Sequence, residues 1–354
     1  MHGACQFDKP GCGNPLATLG QSPRFRLFHP AFPTKVRAVA NDTYQVELTP
    51  PDISAYREGN TGIPYVTTFD SGKPGPHVMV NAVTHGNELC GAIAVDFLFK
   101  NKVRPTRGKL TLSFLNVAAY HAFDKAKPSA SRFVDEDINR VWDPATLDGT
   151  RNTVETRRAR EFRPAADRAD YLLDIHSMQH ATAPLMMAGT LDKSVALAHK
   201  VGIPELIVRD AGHAAGRRLR DYGGFGDKAS PKTALLIECG QHWETSSEEV
   251  ALATTLRFLT VLDVLDPDFA RQHPVTRSER QRIITVTEAV TIQTDKFTFA
   301  GPYTGLEMLG KKGTLIGYDG DRQVLTPYDD CVLIMPSRRL TRGSTAVRLG
   351  RYTG

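Results

Sequence analysis

The stretch VMVNAVTHGNEL occupies residues 78–89. Val78 to Val83 form a short run, apolar except for Asn81, of the length of a buried strand. The run breaks at Thr84-His85-Gly86-Asn87-Glu88. Leu89, Ala92, Ile93, Val95, Phe97 and Leu98 then predict an amphipathic helix packed on a sheet. The strand therefore ends at a polar turn that carries His85 and Glu88. Imidazole and carboxylate are both good ligands for a divalent metal such as zinc. Three residues apart on a tight turn or first helical turn, they point to the same side. The C-terminal end of a strand is also where α/β sheets place their sites. An isolated H-x-x-E equally arises as a surface or capping pair, so its weight depends on whether the rest of the chain supplies partners for it.

Three more polar clusters lie downstream. Residues 131–142 read SRFVDEDINRVW, inside a long polar loop, and supply Arg132, Asn139 and Arg140. A long loop within a compact α/β domain is usually functional. Tyr171 to Ile175 predict a strand that ends on His176. Thr233 to Ile237 predict a strongly apolar strand that ends on Glu238, followed by Cys239-Gly240-Gln241-His242. Two histidines and a carboxylate form a zinc-binding set with a fourth position left for water. A further glutamate, Glu238, could take the proton of that water and pass it to a leaving nitrogen. An arginine aimed at the carbonyl stabilises an oxyanion. An Asn-Arg pair suits a substrate carboxylate, which a guanidinium binds bidentately.

The chain has 354 residues, 23% charged and 41% hydrophobic, with a net charge of +5. That length suits two domains, and the composition is that of a globular protein. No basic block interleaved with aromatics is present, so nucleic acid is not expected as a partner. No apolar run long enough to span a bilayer occurs, so no membrane association is expected. The five cysteines are scattered and odd in number, which argues against a disulfide framework. With no signal-peptide pattern, a cytoplasmic location is expected, and a homodimer is plausible. Residues 1–22 read as a flexible leader, and residues 23–266 as the catalytic domain. Short alternating strands with Gly and Pro between them fill residues 280–354, predicting a β-rich domain of barrel or sandwich type. The charged run at residues 151–168 reads as a helix with a solvated face.

Thr-His-Gly-Asn-Glu at 84–88, Arg132 with Asn139-Arg140, Asp174-x-His176, and Ile237-Glu238-x-Gly240 come in this order. Together they resemble the succinylglutamate desuccinylase/aspartoacylase family, relatives of the zinc carboxypeptidases. The resemblance implies a carboxypeptidase-like mixed sheet flanked by helices, with a small C-terminal all-β domain. It implies one zinc ion held by His85, Glu88 and His176, with Glu238 as general base. It also implies Arg132 as the residue that polarises the scissile carbonyl, and Asn139 and Arg140 as the substrate-carboxylate pair. The expected activity is metal-dependent hydrolysis of the amide of an N-acyl amino acid or similar small carboxylate. A carboxypeptidase acting on a small peptide or γ-linked amide is the alternative. A non-catalytic zinc-binding protein that kept the fold is a third, disfavoured because no ligand and no Glu238 is lost. Lys228 stands where aspartoacylase has an arginine that grips an acidic side chain. Tyr303, Tyr318 and Tyr328 are candidates for a C-terminal tyrosine that completes the site, and His180 and His242 are candidate substrate contacts.

Overall fold

The computed structural model describes Met1, residues 44–212 and residues 215–354. The leader expected over residues 1–22 therefore lies outside the described residues apart from Met1. The strands are β1 (Val66–Asp70), β2 (His77–Ala82), β3 (Lys109–Phe114), β4 (Tyr171–Met178), β5 (Leu185–Met187), β6 (Leu206–Arg209), β7 (Thr233–Gln241), β8 (Arg282–Thr291), β9 (Phe297–Phe299), β10 (Met308–Leu309), β11 (Leu315–Asp319), β12 (Arg322–Leu325), β13 (Cys331–Ile334) and β14 (Thr345–Tyr352). The helices are α1 (Leu89–Lys100), α2 (Val117–His121), α3 (Pro144–Leu147), α4 (Val154–Arg168), α5 (Asp192–Val201), α6 (Thr245–Val261) and α7 (Pro267–Gln272).

The main sheet has 11 strands in the order β1-β3-β2-β4-β7-β5-β6-β8-β14-β13-β10. Its centre, β3-β2-β4-β7, is parallel, while β1 and β5 run antiparallel to their neighbours β3 and β7. The central strands are near-continuous apolar runs because helices cover both faces. On one face α1, α5 and α6 bury Leu89, Val95, Leu98, Val195, Leu256 and Leu259 against β2, β4 and β7. On the other, α4 and the segment around Trp142 bury Phe162, Ala165 and Ala166 against Met79 and Leu172.

The C-terminal residues are all-β, and β9, β11 and β12 pack on β8, β13 and β14 around Phe297, Ile316, Val324, Leu333 and Val347, a sandwich whose second sheet is continuous with the main sheet. Strand β8 pairs in parallel with β6, and β14, β13 and β10 follow as antiparallel neighbours. Only β9, β11 and β12 form a separate three-stranded sheet. The exposed edge of β6 offers unpaired backbone groups, and β8 satisfies them.

Helix α4 has the expected solvated face at Arg157, Glu161, Asp167 and Arg168, but others of its charged residues point inward. Its Glu155 is fully buried and accepts from the backbone N–H groups of Val134, Asp135 and Glu136, at 2.7, 3.0 and 3.2 Å. Its Arg158 and Arg160 donate to the carbonyls of Leu115, Phe114, Leu147 and Thr146. A charged run thus pins the long loop that carries Arg132 and Asn139.

Candidate active site

The site begins where β2 stops. Val83 lies at φ +62°, a left-handed conformation that costs a β-branched residue roughly 1–3 kcal/mol. Its carbonyl accepts from Asn116 N at 2.8 Å, which holds the kink. Gly86 comes next in the turn, and only glycine fits there. A Cβ would meet the Ala119 carbonyl carbon at 2.2 Å and the Ser131 carbonyl oxygen at 2.5 Å. Gly86 N also donates to Arg132 O at 3.1 Å, so the turn carries His85 and Glu88 up against the long loop. Glu88 is the residue just before α1, with φ −98° and ψ 83°.

Strands β4 and β7 supply the rest through their register. His176 pairs directly with Glu238 across the parallel ladder. Both lie in the C-terminal parts of their strands, two and three residues before the ends of β4 and β7. Ligand atoms of His85, Glu88 and His176 all lie within 4.8 Å of one another. The Glu88 carboxylate is shared between the two rings, with Oε1 2.7 Å from His85 Nδ1 and Oε2 2.9 Å from His176 Nδ1. The far nitrogens are held by carboxylates. His85 Nε2 lies 2.9 Å from Asp137 Oδ1, and His176 Nε2 lies 2.9 Å from Asp174 Oδ2. Asp174 is fixed in turn by donors from Asn81 and Thr84, each at 2.8 Å.

This arrangement fits a divalent metal. With a metal bound, Nε2–H donation to Asp137 and Asp174 would leave the Nδ1 lone pairs of both rings to the ion, on the side of Glu88. Two imidazoles and a carboxylate, with carboxylates behind the rings, are the donor chemistry of a three-ligand zinc site. The electrostatics agree. Burial opposes ionisation of Glu88, but His85 and His176 outweigh it and hold the carboxyl well below its usual range. Burial likewise opposes charge on His176, yet Asp174 and Glu88 raise its pKa well above the usual value. The pocket stabilises positive charge at the point where the three ligands converge.

Arg132 donates to Glu88 Oε1 at 3.1 Å and to Asp137 Oδ2 at 3.2 Å, and its Nη2 lies 2.8 Å from His85 Nε2. That last nitrogen cannot both accept from Arg132 and donate to Asp137. With His85 Nδ1 turned to a metal, Nε2 carries the proton, and the Asp137 bond is the one that holds. Asp137 gathers this corner together. It caps the turn at Asn139 N and lies 3.8 Å from Arg140 Nη2. Asn139 Oδ1 accepts from Leu219 N at 2.9 Å, which leaves its amide N–H groups for other partners. Burial lowers the Arg140 guanidinium to about 10, still charged at neutral pH.

Glu238 differs from the other carboxylates. Its Oε2 is buried without a hydrogen-bond partner among the described residues. Burial, and then the charge of Glu88, push its carboxyl up to about 8 against the pull of His176 and Arg132. All seven sequence-predicted residues line one cavity of about 320 Å³, together with Ser177, Gln179, His180 and His242. A larger depression of about 580 Å³ lies at the other end of the strands, around Asp70, His77 and Lys109, and holds none of them.

The C-terminal region closes one side of the cavity with Thr304, Met335, Pro336, Ser337, Arg339 and Arg348. None of the three candidate tyrosines lines it. Tyr303 donates to Leu315 O, Tyr328 bonds Thr287, and Tyr318 is exposed. Lys228 is also not a wall residue, whereas Arg218 is. Arg218 and Arg348 are both buried against Asp210, at 3.0 and 3.1 Å. Sequence reasoning passed over Asp137, Arg339 and Arg348. Asp137 alone left a signal, as the first residue of Asp-x-Asn-Arg.

The catalytic-domain model of the succinylglutamate desuccinylase/aspartoacylase family matches residues 74–255, which is just over half of the chain and spans all four clusters. The chain belongs to the succinylglutamate desuccinylase/aspartoacylase family. It is a family of deacylases, amidohydrolases that act on small N-acyl amino acids. Among curated relatives, the rat (Rattus norvegicus) N-acyl-aromatic-L-amino acid amidohydrolase (carboxylate-forming) is 26% identical over 127 residues. That match spans 33% of this chain and 38% of the rat enzyme. Solved structures share the fold. Succinylglutamate desuccinylase from Vibrio cholerae superposes with a TM-score of 0.59 at 14% identity, over 82% of this chain and 86% of that one. The succinylglutamate desuccinylase/aspartoacylase of Rhodobacter sphaeroides gives 0.57 at 18%, covering 86% and 93%. The product-bound ectoine utilization protein EutE (DoeB) of Ruegeria pomeroyi gives 0.56 at 18%, covering 80% and 88%. No helix among the described residues is long and apolar enough to cross a membrane.

Proposed function

We propose that this chain is a zinc-dependent hydrolase that removes the acyl group from an N-acyl amino acid or similar small carboxylate. One observation carries the proposal. The His85/Glu88/His176 cluster shares a cavity with a buried carboxylate, Glu238, that has one oxygen unpartnered among the described residues. In this proposal residues 23–266 form the catalytic domain, and residues 280–354 the β-rich region that walls the pocket.

His85, Glu88 and His176 would hold the ion, with Asp137 and Asp174 fixing the two imidazole tautomers. When bound, zinc supplies Lewis acidity that acidifies water and polarises a carbonyl. Glu238 takes the proton of the attacking water and delivers it to the leaving nitrogen. In the metal-free fold this carboxyl is pushed up to about 8, and a cation beside it would bring it back toward neutrality, where it suits both halves of that task. Arg132 turns its guanidinium to the scissile carbonyl oxygen and stabilises the negative charge that develops there. Asn139, through its amide N–H groups, and Arg140 hold the substrate carboxylate. Small-molecule sites run from about 300 to 1,000 Å³. A cavity of about 320 Å³, walled by the C-terminal region, favours a small amide over a peptide in an open groove.

The test is Glu238→Gln. Metal content should stay at the wild-type level while amide hydrolysis falls by about 10²–10⁴-fold, the usual contribution of a general base. Undiminished turnover would remove Glu238 from this role.

A further inference from the structure

Glu155 is fully buried on α4 and is not a wall residue of the cavity. Its Oε1 accepts from Val134 N at 2.7 Å, and its Oε2 from Asp135 N and Glu136 N at 3.0 and 3.2 Å. Three consecutive backbone N–H groups turned on one anion form a concave nest. Bonds to an ionised acceptor are roughly twice as strong as neutral ones, so the carboxylate fixes the backbone of this loop firmly. The side chains of Val134 and Asp135 are exposed, so their own packing does not hold the loop.

The nest sits behind a turn whose two ends meet in the cavity. Arg132, two residues before it, donates to Asp137, the residue after it, at 3.2 Å, and to Glu88 Oε1 at 3.1 Å. On its other side Glu155 Oε1 accepts from Asn116 Nδ2 at 3.2 Å. Asn116 N donates to Val83 O at 2.8 Å, and its Oδ1 accepts from Ala119 N at 3.4 Å. Val83 is the kink before His85, and Ala119 is part of the wall that admits only glycine at position 86. One carboxylate therefore ties the turn that carries His85 and Glu88 to the turn that carries Arg132. Asn139 and Arg140 have anchors of their own. Asn139 Oδ1 accepts from Leu219 N at 2.9 Å, Val141 bridges to Arg217, and Trp142 N donates to Arg217 O at 3.2 Å. Loss of the nest loosens the Arg132 side of the loop and spares the Asn139–Arg140 side.

We propose that Glu155 is a positioning residue for Arg132. By holding the 134–136 nest and Asn116 together, it sets the guanidinium against the metal-ligand cluster, where it faces the scissile carbonyl oxygen. The part played by Arg132 in this proposal rests on the deacylase reading of the site. The positioning itself is tested without turnover as well as with it.

The experiment is Glu155→Gln, which keeps the size of the side chain but turns an amide NH₂ toward N–H groups that need an acceptor. In the zinc-loaded protein kcat should fall by about 10²-fold, the cost of a misplaced oxyanion donor. Metal content should stay at the wild-type level, and KM should change by less than about 3-fold, because the substrate-carboxylate pair keeps its own anchors. In an Arg132→Ala background the same substitution should cost less than about 3-fold in kcat, because residues that act as a unit are not additive. A merely structural role would lower kcat equally in both backgrounds. Equal losses in the two backgrounds, or a raised KM with kcat unchanged, would overturn the proposal. The second measurement is amide exchange and NMR. In wild type the amides of residues 134–136 should exchange slowly although the side chains of Val134 and Asp135 are exposed, and fast exchange of all three would overturn the proposal. In Glu155→Gln those amides should exchange faster, and the Arg132 Nε–H resonance, assigned by its loss in Arg132→Ala, should shift. Freed amides with an unmoved Arg132 resonance would overturn it. Should Glu155→Gln not fold, Glu155→Asp, which keeps the charge on a shorter arm, is read in the same way. Wild type that hydrolyses no N-acyl amino acid, with the amide protection and the Arg132 shift as expected, would refute the deacylase assignment and leave the positioning by Glu155 standing.

Discussion

Removing the charge at position 238 should stabilise the metal-free protein while it abolishes catalysis. Burial holds the Glu238 carboxyl at about 8 in the fold, against 4.5 for the free side chain. The folded chain therefore binds a proton in that window which the unfolded chain has released. Stability from this group is fully present below 4.5 and is lost as pH rises through 8. Each pH unit in the window corresponds to about 1.4 kcal/mol. Between 4.5 and 7 the folded state loses roughly 3 kcal/mol from this group alone. Glu238→Gln keeps the shape and removes the titration. The assay is urea denaturation of chelator-treated wild type and variant at pH 5 and pH 7.5. Titrating groups remote from Glu238 are common to both proteins and cancel in the difference, leaving Glu238 and the neighbours it acts on, Glu88 and His176. The variant's advantage should be small at pH 5 and several kcal/mol at pH 7.5. A gap that does not change with pH, or one that favours wild type increasingly at pH 7.5, would refute the claim that the fold disfavours the charged form of Glu238.

Other perturbations bear on separate parts of the site. His176→Ala should lower bound zinc well below one ion per chain, measured by elemental analysis after dialysis, because one of three protein ligands is lost. For Arg140→Ala, KM should rise by about 10- to 100-fold with a smaller change in kcat, since a ground-state charge-assisted bond to the substrate carboxylate is removed. Asp210→Ala should cost about 1.5–3 kcal/mol in denaturation, because it removes the buried carboxylate shared by Arg218 and Arg348 while Arg218 keeps Asp221 at 2.8 Å. A loss below about 1 kcal/mol would mean that water or other acceptors satisfy both guanidinium groups.

The centre of the fold was legible because its strands are buried on both faces. Apolar runs at 78–83, 171–175 and 233–237 each end at a polar residue, and β2, β4 and β7 lie side by side with those ends together. The convergence of His85, Glu88 and His176 could be anticipated for the same reason. What escaped the sequence depended on pairings between distant segments. Asp137 looked like one acid among Asp135, Glu136 and Asp137, yet it meets His85, Arg132 and the Asn139 N–H at once. Glu155 looked like part of a solvated run, because nothing local shows that three backbone N–H groups will converge on it. Arg339 and Arg348 are isolated residues in a β pattern, and they reach the cavity only because β8 and β14 extend the main sheet. The C-terminal tyrosines drew attention by residue type, but their hydroxyls are used elsewhere or exposed.

The most direct measurement is amine release from a panel of N-acyl amino acids carrying acetyl, succinyl and aromatic acyl groups, with zinc-loaded and chelated protein run side by side. Release from at least one class by the zinc-loaded protein, lost on chelation and restored by zinc, is the predicted result. No release from any member by protein with one zinc bound per chain would contradict the assignment of this cavity to N-acyl amino acid hydrolysis.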